Sequence, residues 1–158
     1  MLGSLYFGQR RLIWVGQRAN SFEAADPRNV PGVSLVRHPK GGHCACYVPA
    51  PPSAPNASTT TTPTIVYFHG NGDQAGWGGA FLAREMSRRH GLGFFAVEYP
   101  GYGLAAGPGS PSEAAVLEAS EALLVHLEGA LSVPRAAMVL VGQSIGCSPA
   151  LQLAAKGW

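Results

Sequence analysis

Runs of hydrophobic residues divide the sequence into strand-like and helix-like stretches, and the first two stretches form a pair. GVSLVRH (32–38) and HCACYVPA (43–50) are rich in residues that favour strands, and the segment between them ends in Gly41 and Gly42. Two such stretches around a short glycine-containing turn are typical of a β-hairpin. The sequence therefore predicts an antiparallel hairpin over residues 32–50.

After residue 63, continuous apolar runs alternate with helical periodicity. The runs have the composition of strands that are buried on both faces; they are TIVYF (64–68), GFFAVEY (93–99) and AAMVLVG (136–142). A helical stretch follows each run, namely AFLAREMSRRH (80–90), a long stretch that begins at residue 110, and SPALQLAAK (148–156). This alternation predicts an α/β fold, with a mostly parallel sheet, helices on both faces and the antiparallel hairpin at its amino-terminal side.

The long helix carries an apparent start signal in its sequence. Ser110 is predicted to cap the first free N–H groups, Pro111 suits the first helical position, and Glu113 completes a capping box. Apolar residues then recur at helical spacing as far as Leu131.

The pattern predicts an amino-terminal extension over residues 1–31 and one domain over residues 32–158. Residues 49–63 are so dense in Pro, Ser and Thr that they predict a flexible surface loop. The extension begins MLGSLYFGQRRLIWVG, whose apolar patches are too short for a signal peptide or a membrane span. A frayed first strand is favoured there, with a peripheral membrane contact as the alternative.

Composition narrows the class of protein. Of 158 residues, 46% are hydrophobic and 13% are charged, which indicates a globular chain, and a net charge of +2 argues against a nucleic-acid partner. Cys44 and Cys46 stand two apart in a strand, so they point the same way and do not pair with each other. With Cys147 they make an odd count without metal-binding spacing. We expect a reducing, cytoplasmic location, and neither a metal nor a cofactor.

GQSIG (142–146) places a serine between two glycines, directly after the third apolar run and before a helix. This is the context of a nucleophile elbow, a sharp strand-to-helix turn. Such a turn strains the backbone of Ser144 and lifts its hydroxyl above the sheet. Gly142 and Gly146 are needed because a Cβ at either position would meet the adjacent strand or helix. The N–H of Ile145, at the helix N-terminus, then faces the oxyanion of an attacked carbonyl.

HGNG (69–72) follows the first apolar run and supplies a second candidate donor. The backbone N–H of Asn71 is expected to face the same oxyanion, and Gly70 and Gly72 let the backbone approach a substrate closely. Ligands bind at the carboxyl ends of parallel strands. HGNG, EYPGYG (98–103) and GQSIG are therefore predicted to meet at one edge of the sheet.

In this order, the three strand–loop–helix units resemble the first half of an α/β-hydrolase over residues 32–158. With Pro149 five residues after the serine, GQSIG is most similar to eukaryotic serine hydrolases that remove palmitoyl groups from protein cysteines. The resemblance implies that Ser144 is the nucleophile and that Asn71 and Ile145 are the oxyanion donors.

The resemblance also implies that His69 orients the oxyanion loop and is not the base, and that EYPGYG helps to shape an acyl pocket. Those depalmitoylases carry an acylated cysteine cluster near the amino terminus, whereas no cysteine precedes Cys44 here. Expected partners are an acyl-bearing small molecule or an acylated protein, with no obligate partner. The acyl group and the bond type (ester, thioester or amide) stay open.

The triad acid and histidine of this fold follow the serine along the chain, yet no acid and no histidine follows Ser144. We therefore expect the amino-terminal portion of a serine hydrolase, nearly inactive as given, with AMVLV as an exposed apolar edge strand. A pseudo-hydrolase that binds an acyl ligand or a partner protein is the main alternative. A dinucleotide-binding unit is a weaker one, in which GNGDQA is the phosphate loop and Glu98 contacts the ribose.

Overall fold

Five strands and three α-helices make up most of the chain that the computed structural model describes, which is residues 13–14, 27, 30–39, 43–52, 61–105 and 111–158. The strands are β1 (Ser34–Arg37), β2 (Cys44–Val48), β3 (Thr64–Phe68), β4 (Gly93–Val97) and β5 (Met138–Gly142). The helices are α1 (Ala80–His90), α2 (Glu113–Gly129) and α3 (Cys147–Ala155). Short helical turns cover Ala75–Gly79, in π geometry, and Gly103–Ala105, Arg135–Ala137 and Ser144–Gly146, in 3₁₀ geometry.

The strands form one mixed sheet in the order β1-β2-β4-β3-β5. β4, β3 and β5 run parallel, whereas β2 is antiparallel to both β1 and β4. The predicted hairpin is confirmed, and the N–H of His38 donates to the carbonyl of His43 at 2.8 Å. Phe68 at the end of β3 pairs with Gly142 at the end of β5, so the loops that follow them start side by side.

Helices cover both faces of the sheet, as predicted. Along β4, Phe94 and Ala96 face α1, while Phe95 and Val97 face α2 and α3. All four side chains are buried, and burial of this kind contributes about 1.5–3 kcal/mol for each large apolar side chain. The core on the α2–α3 side includes Val66, Phe68, Leu123, Leu124, Leu127 and Leu153.

The start of α2 differs from the prediction. Ser112, with φ −150° and ψ 160°, is the N-cap, and its Oγ accepts from the N–H of Ala115 at 3.2 Å. Pro111 precedes the helix, and Glu113 is its first residue, so the predicted capping box is wrong. A capping hydroxyl accepts from the N–H of the second or third helical residue, and Ser112 does so from Ala115, the third residue of α2. Ser110 lies outside the described residues.

β5 forms one edge of the sheet, and its apolar side chains are exposed as expected. Val139 is 47% and Val141 is 39% exposed, and both lie on the α1 face, in register with Ile65 and Tyr67 of β3. α1 packs mainly against β4 and β2. Within the part of the chain that is described, the sheet therefore has an open edge and an open apolar patch beside it.

The cysteines of β2 behave as strand residues, as predicted. Cys44 and Cys46 are buried, while Cys147 is exposed. Burial, reinforced by the nearby Glu98 carboxylate, raises the pKa of the Cys44 thiol to about 12. Most of the predicted extension (1–31), residues 40–42 of the hairpin turn and residues 53–60 of the predicted flexible loop lie outside the described residues.

Candidate active site

GQSIG makes the turn from β5 into α3. Ser144 has φ +53°, and among the residues that the structure describes only Ser132, with φ +56°, shares this left-handed conformation without being glycine. A side chain in this region costs about 1–2 kcal/mol, so the predicted backbone strain is confirmed. Ser144 is exposed, and the N–H of Gly146 donates to the carbonyl of Gln143 at 2.9 Å to close the turn.

The glycines on either side of the serine are required by close contacts, as predicted. A Cβ on Gly142 would lie 2.6 Å from the Cα of Cys147 at the start of α3. A Cβ on Gly146 would overlap the carbonyl oxygen of Phe68 in β3 and lie 2.8 Å from that of His69. Real Cβ atoms do not approach backbone closer than 3.0 Å, so both positions exclude any larger residue while the backbone stays in place.

His69 is fully buried in the loop after β3. Its Nδ1 lies 2.8 Å from the carbonyl oxygen of Gly70, and its Nε2 lies 3.0 Å from Oε1 of Glu98. A carbonyl only accepts, so Nδ1 carries a hydrogen, and the second contact shares a proton between Nε2 and the carboxylate. Both ring nitrogens are engaged within the loops, an arrangement that suits holding the HGNG backbone in shape rather than accepting a proton from Ser144.

The two tyrosines of EYPGYG form hydrogen bonds to the HGNG loop. Tyr99 donates its hydroxyl to the carbonyl of His69 at 2.8 Å, and Tyr102 donates to Oδ1 of Asn71 at 2.6 Å. Both rings are fully buried, and burial, together with the neighbouring Tyr102, raises the pKa of Tyr99, so that its hydroxyl stays a donor. The side-chain amide of Asn71 also donates to the carbonyl of Ile13.

Gln143 connects the turn that carries Ser144 to β3 through hydrogen bonds. Its Oε1 accepts from the Tyr67 hydroxyl at 2.5 Å, its N–H donates to the carbonyl of Phe68 at 2.9 Å, and its side chain lies against Gly70. Burial and the nearby Asp73 raise the pKa of Tyr67, which keeps this donor protonated. The structure therefore brings the HGNG, EYPGYG and GQSIG loops together at one edge of the sheet, as their strand positions predicted.

The chain is similar in sequence to known proteins of the α/β-hydrolase class. The chain is 29% identical over 147 residues to alpha/beta hydrolase domain-containing protein aho-3 of Caenorhabditis elegans, an alignment that covers 89% of the chain and 40% of that relative. It is 27% identical over 149 residues to alpha/beta hydrolase domain-containing protein 17B of Homo sapiens, covering 94% of the chain and 49% of that relative. The chain is therefore similar in sequence to the amino-terminal portion of α/β-hydrolase domain-containing proteins. No protein-family model matches it.

A solved structure shows the same fold as this chain. The esterase LipW from Mycobacterium marinum superposes with a TM-score of 0.57 at 20% sequence identity, over 89% of this chain and 45% of the esterase. The chain thus spans about half the length of the curated and structural relatives that it matches. It corresponds to the amino-terminal portion of the α/β-hydrolase fold, as the sequence predicted.

Sequence reasoning missed the main role of Glu98. It is fully buried, pairs through Oε1 with His69 and accepts at Oε2 from the N–H of Leu104 at 3.3 Å. The carboxylate is therefore occupied and cannot serve as the ribose partner of a dinucleotide. The sequence did contain a signal for this role, namely a single acid at the end of an apolar strand. A carboxylate buried at such a position needs hydrogen-bond partners, which predicts a contact like that with His69.

A cavity of about 320 Å³ lies beside the turn that carries Ser144. Its apolar wall is formed by Ile13, Trp14, Val116, Leu117, Ile145 and Pro149, and its polar rim by Glu113, Ser148 and Gln152. At the rim, Oε1 of Glu113 accepts from Nε2 of Gln152 at 3.0 Å. Tyr99 and Tyr102 do not line this cavity, so their observed role is to support the HGNG loop. The apolar wall has room for part of a hydrocarbon chain.

The remaining histidines lie away from Ser144. His38, His43 and His126 lie together at the β1 side of the sheet. The centroid of the His38 ring is 6.1 Å from that of His43 and 5.6 Å from that of His126. β1 and β5 are its opposite edges, so the sheet separates this group from the elbow. His90 ends α1.

In the described part of the chain, no group of three or more His, Cys, Asp or Glu side chains is arranged to hold a metal ion. Among the same residues, no helix has both the length and the apolar run needed to cross a bilayer.

Proposed function

We propose that this chain presents Ser144 as the nucleophile of an acyl ester or thioester hydrolase. The observation that carries the proposal is the exposed serine with φ +53° at a strand-to-helix turn. Such strain persists only where the surrounding structure enforces it, and here the crowding at Gly142 and Gly146 does so. A turn of this kind is what an elbow needs to present a nucleophile to a substrate carbonyl.

The proposed reaction forms and breaks one acyl bond at a time. The Ser144 oxygen attacks the carbonyl carbon, and the N–H groups of Ile145 and Asn71 stabilise the resulting oxyanion. Collapse expels the alcohol or thiol and leaves an acyl-serine, which water then hydrolyses. His69, held by Glu98 and the Gly70 carbonyl, would fix the loop that carries the second donor.

A base must take the proton of Ser144, and in α/β-hydrolases it follows the nucleophile along the chain together with its acid. The sequence given has no acid and no histidine after Ser144. Loss of the base in a dissected triad hydrolase cost on the order of 10⁶ in turnover. We therefore expect these 158 residues alone to be nearly inactive, and the proposed activity to require an acid and a base supplied from elsewhere.

Acylated proteins, with palmitoyl thioesters foremost, are the proposed substrates. Two features support this choice. The GQSIG motif with Pro149 resembles that of protein depalmitoylases, and an apolar cavity adjoins Ile145 at the elbow. A hydrocarbon chain lying against Val116 and Leu117 would leave its carbonyl near the exposed serine.

Fluorophosphonate labelling tests the proposed nucleophile. The probe is applied to the protein in extracts of cells that express it, and peptide mass spectrometry locates the adduct. The expected adduct is on Ser144 and is lost in Ser144→Ala. It persists in Ser132→Ala, a matched control, because Ser132 has the same backbone conformation but follows α2 at a distance from the loops. An unlabelled Ser144 in folded protein, while other serine hydrolases in the extract react, contradicts the proposal.

A non-catalytic acyl-binding protein is the second candidate, and the apolar cavity beside Ile145 favours it. It shares the cavity but needs no activated serine. In that case a fluorescent fatty acid binds and is displaced by palmitate, while the fluorophosphonate leaves Ser144 unmodified.

A further inference from the structure

Two aromatic side chains next to the HGNG loop are exposed to an unusual degree. Trp77, in the π turn before α1, is 69% exposed, and Phe81, in the first turn of α1, is 61% exposed. Large aromatic rings are normally buried or partly buried, so a neighbouring exposed pair marks an interaction surface.

The two rings continue into a basic stripe along the same helix face. Positions 77, 81, 84 and 88 are spaced by four, three and four residues, which places them on one side of a helix. Arg84 and Arg88 are both exposed. On the opposite side, Ala80 and Ala83 are fully buried against the sheet, and this fixes the stripe toward solvent.

The charge of this surface is positive. Glu85 is its one acidic neighbour on α1, and it accepts from Arg88 at 3.2 Å and from Arg89 at 2.7 Å. These two arginine hydrogen bonds lower the pKa of Glu85 and keep it ionised, so it offsets one of the arginines. Glu85 neutralises the charge of one arginine of the pair Arg88 and Arg89, so Arg84 and the other member of that pair keep a net positive charge. The side chains of Arg88 and Arg89 are 59% and 63% exposed.

We propose that the α1 stripe, formed by Trp77, Phe81, Arg84 and Arg88, docks the protein on a membrane surface that contains anionic lipid. Rings that insert at the headgroup boundary and arginines that pair with lipid phosphates are the two contributions that hold an interfacial helix. The stripe combines two exposed aromatic rings with exposed arginines on one helix face, and this pairing of apolar and positive groups fits an anionic lipid surface.

Docking in this orientation would bring the candidate site close to the membrane. Trp77 lies in the segment that runs from Asn71 into α1. Like Ser144, this segment lies at the carboxyl ends of the parallel strands, whereas Arg88 lies at the far end of the helix. A helix lying along the surface would hold this edge at the level of the lipid headgroups. The docking does not depend on the proposed hydrolase chemistry, and its test requires no turnover.

Tryptophan fluorescence measures insertion directly. Trp14→Phe and Trp158→Phe leave Trp77 as the only tryptophan of the chain. The protein is mixed with vesicles of phosphatidylcholine alone or of phosphatidylcholine with phosphatidylserine. The expected result is a blue shift of Trp77 emission and quenching by brominated lipid, both stronger with phosphatidylserine and weakened by added salt.

Paired variants separate the two contributions in vesicle flotation. Trp77→Ser with Phe81→Ser is expected to lower the partition coefficient about tenfold or more, because apolar burial is lost. Arg84→Gln with Arg88→Gln is expected to lower it about fivefold per arginine, only on phosphatidylserine vesicles. The control pair, Val125→Ser with Leu151→Ser, removes equally exposed apolar residues from α2 and α3 and should leave partition unchanged.

Three outcomes overturn the proposal. One is a Trp77 emission that no vesicle shifts. Another is equal loss of partition in the control pair, which makes the binding nonspecific. The third is a blue shift that depends on protein concentration without vesicles, which identifies the stripe as a contact between copies. The side chains substituted in the flotation variants are exposed, whereas Trp14 and Trp158 are partly buried, and far-UV circular dichroism verifies that each variant is folded.

Discussion

At the scale of single residues, Gly146 decides how closely the nucleophile turn approaches the sheet. Its missing side chain lets the backbone pass against the carbonyls of Phe68 and His69, and this contact sets the distance between GQSIG and the HGNG loop. Ser144 is held in its left-handed conformation by the same close passage.

Gly146→Ala is expected to destabilise the protein by about 3 kcal/mol, because the added methyl group overlaps backbone atoms that cannot move alone. Gly129→Ala is the matched control. Gly129 ends α2 and has no atom within 4 Å of a built Cβ, so the change should stabilise by about 0.5 kcal/mol. Urea unfolding followed by circular dichroism measures both values. A neutral Gly146→Ala would mean that the turn is not pressed against β3.

The residues of the elbow could be predicted because the pentapeptide itself encodes its geometry. A serine between glycines, after an apolar strand, has one local solution, and the structure has the strained backbone and the crowding that were expected. The partners of His69 and Gln143 could not be predicted in this way. The His69–Glu98 contact spans 29 residues and the Tyr67–Gln143 contact spans 76, so only the packed sheet brings them together.

At the scale of elements, side chains join three loops that belong to different strands. Glu98 links the end of β4 to the HGNG loop through His69 and to its own following turn through the N–H of Leu104. Gln143 links the end of β5 to β3. These contacts make the loops after β3, β4 and β5 one connected unit, so loss of a single member should loosen its neighbours.

Glu98→Ala is expected to destabilise the protein by about 3 kcal/mol, since it leaves His69 buried without its partner. Hydrogen exchange at residues 69–73 should accelerate more than exchange in α2. Glu98→Gln keeps a hydrogen-bonding group and should lose about 1 kcal/mol. Glu118→Gln, an exposed position on α2, is the control and should change neither measurement. Unchanged loop exchange in Glu98→Ala would show that the loops are held independently.

The start of α2 shows why boundaries are harder to predict than elements. The sequence led to Ser110 as the cap, and it did not single out Ser112, which caps the helix in the structure. The choice is made by tertiary contacts, because Glu113 as the first residue reaches Gln152 of α3, 39 positions along the chain.

At the scale of the whole molecule, hydrophobic patterning predicted the α/β class, the hairpin and the helices on both faces. Hydrophobic patterning could not predict the strand order β1-β2-β4-β3-β5, because periodicity indicates which faces of a strand are buried and not which strands are neighbours. The same patterning did predict that AMVLV would be an exposed apolar edge, and Val139 and Val141 confirm this.

Val141→Lys is expected to reduce self-association of the 158-residue chain at micromolar concentrations, because a charge on an edge strand opposes edge-to-edge pairing. Val125→Lys adds the same charge at an exposed position of α2 and should have no effect. Sedimentation velocity over a concentration series measures the difference. Equal association of both variants would place the contact elsewhere than β5.

The distribution of the three thiols has a practical consequence. Cys44 and Cys46 are shielded inside β2, whereas Cys147 is exposed, three positions after Ser144, and its Sγ donates to the carbonyl of Gly142 at 3.2 Å. A maleimide dye would therefore attach at one place in the folded, unmodified chain, at the first residue of α3. The anisotropy of that dye would report whether the nucleophile turn tightens when an acyl chain enters the neighbouring cavity.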